Sequence, residues 1–275
     1  MLVLGASPAD SQPVEFSVLS YNVFLRTPAW IFRDQHDWRA HRIPSFLAGY
    51  DAVVLQEAFS NKHRNRMLST LSREYPYSSG ILGEDEFMSY NGGVIILSRW
   101  PIVKQAYTVF NVCEGTDCIV KKGVIYTALE KEGARMHLFG LHLQAQKEHS
   151  ATRVAQFPRI RHFIDAQHID KAELLLVAGD FNVDYFSNIS DREFSRLSDT
   201  VGLVLAQDTP APSYDAASNS YVEDPVSERL DYVFYSGRHL TPEKASNEVL
   251  YFRDGSTDLS DHHPVVGRFT IGHQP

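Results

Sequence analysis

Cysteine is nearly absent, with two residues, Cys113 and Cys118, in a chain of 275. That excludes a small disulfide scaffold, and the lack of a second pair argues against structural zinc. The pair itself reads three ways: a small-loop disulfide, two inert thiols, or half of a metal site. The polar segment between them favours the disulfide. No run approaches the ~18 apolar residues of a membrane helix, which excludes an integral helical membrane protein. Basic charge is short as well. Lys and Arg total 26 against 34 Asp and Glu, for a formal net charge of −8. Binding nucleic acid chiefly through charge is therefore a poor fit, although an enzyme that meets phosphates through a metal ion is not excluded.

Repeats, low-complexity tracts and long linkers are missing too. What remains is an ordinary globular composition, 43% hydrophobic and 22% charged, able to bury a sizeable core without staples. Residues 14–275 are read as a single catalytic domain. Residues 1–13 are read as a disordered or processed segment. They have no basic n-region, but Ala6-Ser7-Pro8-Ala9 is a small-residue context of the kind that signal cleavage uses.

Strand-like runs rich in β-branched and aromatic residues recur along the chain. They cover Val14–Val23, Ala52–Leu55, Gly93–Leu97, Val103–Phe110, Val124–Leu129, Met136–Leu143, Leu174–Ala178, Leu230–Tyr235, Val249–Phe252 and Pro264–Ile271. Helical periodicity lies between some of them. Asn61–Tyr75 puts Met67, Leu68, Leu71 and Tyr75 on one face. Ser150–Ile169 carries Val154, Phe157, Ile160 and Ile164, with a kink expected at Pro158. Ser190-Asp191-Arg192-Glu193 reads as a capping box for a helix stopped at Gly202. Many strands and a few helices predict an α/β fold of two packed sheets with helices outside.

The informative feature is how the strands end. Ser20-Tyr21-Asn22, Leu55-Gln56-Glu57, Leu141-His142, Gly179-Asp180-Phe181-Asn182 and Ser260-Asp261-His262 put amides, carboxylates and imidazoles at the ends of apolar runs. Singly, each is an ordinary turn or cap. Together they are costly unless they face one cleft, where they supply hard oxygen ligands for a divalent ion and histidines for proton transfer.

With Arg229-Leu230-Asp231 added, this ordered set resembles the endonuclease/exonuclease/phosphatase superfamily over residues 15 to 271. The resemblance implies a DNase I-like fold, a four-layer β-sandwich of two sheets flanked by helices. Finer motifs resemble the neutral sphingomyelinases: His142-Leu143-Gln144-Ala145, Arg153 and Gln156, Lys122-Gly123-Val124, Asp117 five residues before Lys122, and Glu57-Ala58-Phe59-Ser60-Asn61. The Pro-Ala-Trp-x-Asp-Arg run of the 5-phosphatases is absent.

The resemblance implies hydrolysis of sphingomyelin to ceramide and phosphocholine, with Mg²⁺ as cofactor and Mn²⁺ or Co²⁺ as substitutes. Glu57 and Asn22 would hold the metal. His262 would be the general base and His142 would stabilise developing charge. Asp180 would orient the water or the base, Asn182 would bond phosphoryl oxygens, and Asp261 would orient a histidine or complete a metal shell. Lys122, Asp231, Asn61 and Asp117 would be accessory. A nuclease or phosphatase of the same superfamily is the alternative, and a non-catalytic binding module a more distant one. The lipid substrate is the expected partner, nucleic acid is not, and the location implied is secreted or periplasmic.

Two departures stand out. The interval Ser236–Leu259 lacks the tryptophan-bearing hairpin with which secreted relatives dock on membranes, so membrane contact should be weak. Trp30-Ile31-Phe32 is either core or a substitute contact. Tyr90-Asn91 stands where such enzymes put acids before Gly92-Gly93, so a second, edge metal is not expected, although Glu84, Asp85 and Glu86 lie close by.

Overall fold

The chain was analysed as a computed structural model that describes residues 13–26, 35–86, 89–187, 192–206 and 210–272. In chain order the first elements are β1 (Val14–Asn22), α1 (His36–Arg42), β2 (Ala52–Gln56), α2 (Asn61–Leu71), β3 (Tyr77–Ser78), β4 (Ile95–Ser98), β5 (Ile102–Val109), β6 (Gly123–Lys131) and β7 (Ala134–His142). There follow α3 (Ser150–Asp165), β8 (Leu174–Asp180), α4 (Glu193–Val201), β9 (Leu203–Leu205), β10 (Tyr214–Asp215), β11 (Ser227–Glu228), β12 (Asp231–Ser236), β13 (Lys244–Val249), β14 (Arg253–Asp254), β15 (Thr257–Asp258) and β16 (Val265–Ile271).

Among the described residues, two sheets of six strands carry the fold, in the orders β13-β16-β1-β2-β4-β3 and β5-β6-β7-β8-β12-β9. Alternation along the strands sends one set of side chains between the sheets and the other toward the helices. Val18, Val54, Ile96, Ile125, Leu138, Leu176 and Val233 belong to the inner core. Leu19, Val53 and Ile95 face α1 and α2 with Ala40 and Met67, while Phe139, Val177 and Phe234 pack with Phe157, Ile160 and Leu197 of α3 and α4. The result is the expected α/β sandwich of four layers. Gly140 marks how closely the sheets approach, since a Cβ there would lie 2.7 Å from Val54 Cγ1.

Register brings the strand ends together. β1 and β2 are parallel, with Asn22 opposite Gln56, so Glu57 emerges beside the end of β1. β7 and β8 are parallel with His142 opposite Asp180, and β12 runs antiparallel with Asp231 opposite Asp180. The three groups that motif reading found far apart in sequence thus stand on adjacent strands at one end.

Some expectations fail. The run Val249–Phe252 is not a strand. Instead the polar Lys244–Val249 pairs with β16 as an edge strand, whose exposed face erases the apolar signal. α3 contains Pro158 and ends at Asp165, short of Ile169, and α2 ends at Leu71, short of Tyr75. Gly202 does stop α4, at φ 81° with its N–H on Ser198 O. Ser190 and Asp191 of the expected capping box, the Trp30-Ile31-Phe32 trio and residues 1–12 lie outside the described residues. Cys113 and Cys118 are disulfide-bonded, with Cα atoms 5.2 Å apart.

Candidate active site

A cleft of about 470 Å³ opens at the ends of β2, β7, β8 and β12, and Glu57, His142, Asp180, Asn182, Asp261 and His262 all line it. Asn22, Lys122 and Asp231 stand behind them and hold them in place.

His262 is the best-fixed imidazole. Its Nδ1 lies 2.7 Å from Asp231 Oδ2, which also accepts the Ser213 hydroxyl at 2.7 Å. Its Nε2 is 3.8 Å from Asp180 Oδ2, and the Tyr214 ring lies 5.0 Å from the imidazole. Burial alone would lower its pKa. The charges of Asp231 and Asp180, the Asp231 hydrogen bond and Asp261 outweigh that and hold it well above the usual value. The carboxylate that bonds His262 is that of Asp231, not of the adjacent Asp261, which leaves Asp261 the other role expected of it, completing a metal shell. Asp261 accepts a bond from Ser260 Oγ at 3.2 Å and lines the cleft with its pKa raised, chiefly by burial.

His142 behaves oppositely. Burial first, then the Lys122 and His262 charges, push it well below the ordinary value, which favours the neutral imidazole. The Lys122 ammonium spends two protons on Leu143 O at 2.9 Å and Asp117 Oδ2 at 2.7 Å, and its third faces His142 Nε2 at 3.0 Å. Nε2 also lies 3.3 Å from Asp180 Oδ2, so it stands between an ammonium donor and a carboxylate acceptor. Nδ1 is buried without a hydrogen-bond partner. Asp117 sits in the disulfide-closed turn and also accepts Ala145 N–H at 2.7 Å, so the loop after β7 is tied down. Gln156 and Arg153 of α3 bond Gln144 N and Gln144 O of the same loop.

Asp180 joins the two sheets. Its Oδ2 accepts Asn22 Nδ2 at 3.0 Å and its Oδ1 accepts Asn182 N–H at 3.0 Å. Burial raises its pKa to about 6, despite the lowering effect of His262. Asn182 spends one amide proton on Leu143 O at 3.1 Å and keeps the other. Asn22 Oδ1 accepts Phe24 N–H at 3.0 Å.

Glu57 is the group that calls for a ligand. It follows β2 at φ 52°, and its buried Oε2 has no hydrogen-bond partner. Burial first, then the Asp261 charge, raise its pKa to about 7. A buried carboxylate oxygen left bare is unstable unless something fills its lone pairs, and a divalent cation fits an all-oxygen setting. Asp180, Asp231 and His262 also hold ligand atoms within 4.8 Å of one another. Asp231 Oδ1 is buried without a partner as well, but Asp231 stands behind the cleft with its Oδ2 spent on His262 and Ser213, whereas Glu57 lines the cleft, so Glu57 is the better-placed candidate.

Asn61 is not brought to the cleft; its side chain bonds Asp85 and Arg64 at the start of α2. Ser213 and Tyr214 went unpredicted, because their contacts cross the fold and carry no local motif. So did Arg39, a fully buried guanidinium on Val23 O and Leu259 O that braces the β1 end against the segment leading into Asp261.

The chain is 35% identical over 295 residues to sphingomyelinase C 2 of Leptospira interrogans, covering 94% of this chain and 46% of that protein. It spans about half the length of the Leptospira relatives it matches. The crystal structure of sphingomyelinase C from Streptomyces griseocarneus superposes with a TM-score of 0.84 at 31% identity, covering 93% of this chain and 99% of that one. Beta toxin from Staphylococcus aureus, a F277A, P278A mutant with bound magnesium ions, gives 0.83 at 26% identity, covering 92% and 99%. Residues 19–262 match the Endonuclease/Exonuclease/phosphatase family. With that match across most of the sandwich, the chain belongs to the endonuclease/exonuclease/phosphatase family and groups within it with the sphingomyelinases C.

Proposed function

We propose that the chain is a Mg²⁺-dependent phosphodiesterase that hydrolyses sphingomyelin to ceramide and phosphocholine. The observation that carries the reading is a carboxylate-held imidazole, His262 on Asp231, in the same cleft as the bare carboxylate of Glu57. The names of the relatives supply the lipid, and magnesium bound in beta toxin supports the choice of ion.

Bound Mg²⁺ would supply charge to offset the phosphodiester and the surrounding carboxylates. Glu57 would hold it, with Asn22 at the end of the neighbouring strand offering an amide oxygen. His262 Nε2 takes a proton from water as the water oxygen bonds to phosphorus and the P–O bond to ceramide breaks. Asp231 keeps the resulting imidazolium in place. The free Asn182 amide proton is a neutral donor for a phosphoryl oxygen, and the His142 imidazole lines the cleft where charge develops. The proton that ends on ceramide's hydroxyl balances the one taken from water. The disulfide supports an oxidising compartment, hence secretion, and no described helix is long and apolar enough to cross a membrane.

The test is a panel of sphingomyelin, lysophosphatidylcholine, abasic-site DNA and an inositol polyphosphate, each with Mg²⁺ and with EDTA. Phosphocholine release from sphingomyelin with Mg²⁺ alone is expected. Turnover of DNA or inositol phosphate with none on sphingomyelin would overturn the reading.

A further inference from the structure

The turn that carries Glu57 is built around a buried cation. Arg64, one helical turn into α2, is 6% exposed. Its NH1 donates to Ala58 O at 2.6 Å and to Phe59 O at 3.1 Å, and its NH2 donates to Asn61 Oδ1. Three oxygens from the residues just after Glu57 therefore converge on one guanidinium. Asp85 closes the network from the opposite side. Its Oδ2 accepts Asn61 Nδ2 at 2.8 Å, and its Oδ1 accepts Asn91 N at 2.8 Å and Asn91 Nδ2 at 2.9 Å. Asn91 in turn bonds Phe59 O at 3.1 Å and accepts Gly93 N–H at 2.9 Å.

This turn needs bracing. Glu57 sits at φ 52°, a left-handed conformation that favours glycine and strains a residue with a side chain. Its own carbonyl is held by Leu25 N–H at 3.1 Å, and Ala58 N–H donates to Gly93 O at 2.9 Å. Gly93, at φ 69°, leaves room for the Phe59 ring, which a Cβ there would approach to 2.7 Å. The two carbonyls that follow, of Ala58 and Phe59, point inward with no strand partner of their own. Convergent carbonyl, amide and carboxylate oxygens of this kind are what hard cations seek. Here the cation is covalently tethered, and a planar fork reaches several acceptors at once, which an ammonium cannot.

We propose that Arg64 is the positioning residue for Glu57, a built-in cation that sets the Glu57–Phe59 turn so that the Glu57 carboxylate stands ready for the divalent ion. The proposal rests on the reading of Glu57 as the metal ligand. Arg64 does not touch the cleft. It acts through Ala58 and Phe59, as groups outside the ligand set do when they orient a ligand.

Calorimetric titration of the EDTA-stripped protein with Mg²⁺ tests it without any substrate. Removing a group that orients a metal ligand weakens metal affinity by roughly 10–100-fold. That rise in Kd is expected for Arg64→Ala, with Arg64→Lys in between because it keeps the charge but loses the fork. Asp85→Asn should move Kd the same way by less. A folded Arg64→Ala protein with wild-type Kd overturns the proposal, even if its Tm falls. Should Arg64→Ala not fold, unchanged Kd in both Arg64→Lys and Asp85→Asn overturns it. Glu57→Gln separates the two readings. If it leaves Mg²⁺ binding intact, Glu57 is not the ligand. If it abolishes binding while the Arg64 variants do not shift it, the failure belongs to Arg64 alone.

Discussion

His262 and Glu57 have opposite needs, and the cleft sets both through charge. The carboxylates of Asp231 and Asp180 raise the His262 pKa, so for His262 to serve as the proposed base, positive charge would have to arrive near Glu57. Replacing His262 with Ala should lower kcat/KM by about 10²–10⁴-fold with the fold intact. Asp231→Asn should lower it less and move the acid limb of the pH profile downward, because the charge that raised the imidazole pKa is gone. An acid limb that stays in place in Asp231→Asn would remove Asp231 from that role. Glu57 titrates at about 7 in the metal-free protein, since burial opposes its charge. On the proposed reading the charged form holds the metal, so binding would release a proton below that pH. The apparent Mg²⁺ affinity should therefore fall as pH drops below about 7, by up to roughly tenfold per unit if this one proton dominates. Calorimetry at pH 8 and pH 6 checks the sign, and equal affinities would mean that Glu57 is already ionised at both.

At the level of elements, the strands that end in the cleft were legible because each carries its own polar terminator on an apolar run. Tyr21-Asn22, Gln56-Glu57, Leu141-His142 and Gly179-Asp180 are local signals. What pairs with what was not legible. Asp261 is next to His262 in the chain, so sequence reading offered it as an orienting group. The partner is Asp231, delivered by the antiparallel register that sets it against Asp180. The Asp117–Lys122 pair was offered by the resemblance to the sphingomyelinases and forms at 2.7 Å, but the contact of Lys122 with His142 Nε2, which ties the pair to the cleft, had no signal in the sequence. β13 stayed hidden because an edge strand with one wet face has no apolar alternation to read. Arg64 stayed hidden for a related reason. Beside Lys62, Asn65 and Arg66 it looks like a solvated helix face, yet it lies three residues before the buried Met67 and shares its side of α2. Asn61 was expected to help at the cleft, and its place at the start of the same helix joins it to that hidden network instead.

For the whole molecule the open physical question is how the cleft meets a lipid surface. The net charge is −8, and the cleft lining sets Glu148, Asp184, Asp224 and Glu228 against Arg26, Lys147 and Arg153, so the molecule offers no general attraction to anionic lipids. The interval Ser236–Leu259 builds edge strand β13 and the short β14–β15 ribbon, and its exposed aromatic is Tyr251, half-covered and 4.6 Å from the His263 ring. That is little area to bury in a headgroup layer. A second exposed pair, Tyr185 and Phe186, lies between the cleft residues Asp184 and Ser187, with Phe186 44% exposed. Burying one phenyl ring in a bilayer interface is worth up to about 1.5–3 kcal/mol, too little to hold the protein on a membrane but enough to orient the cleft mouth. The protein should therefore co-sediment weakly with bare sphingomyelin vesicles and turn over detergent-dispersed sphingomyelin faster. Phe186→Ala should lower vesicle turnover by roughly tenfold, as loss of about 1.4 kcal/mol would, and leave mixed-micelle turnover unchanged. Strong co-sedimentation of the intact protein would end the weak-adhesion argument. Equal losses of Phe186→Ala on vesicles and micelles would assign Phe186 to packing against Tyr185, whose ring centroid is 5.5 Å away, rather than to the membrane.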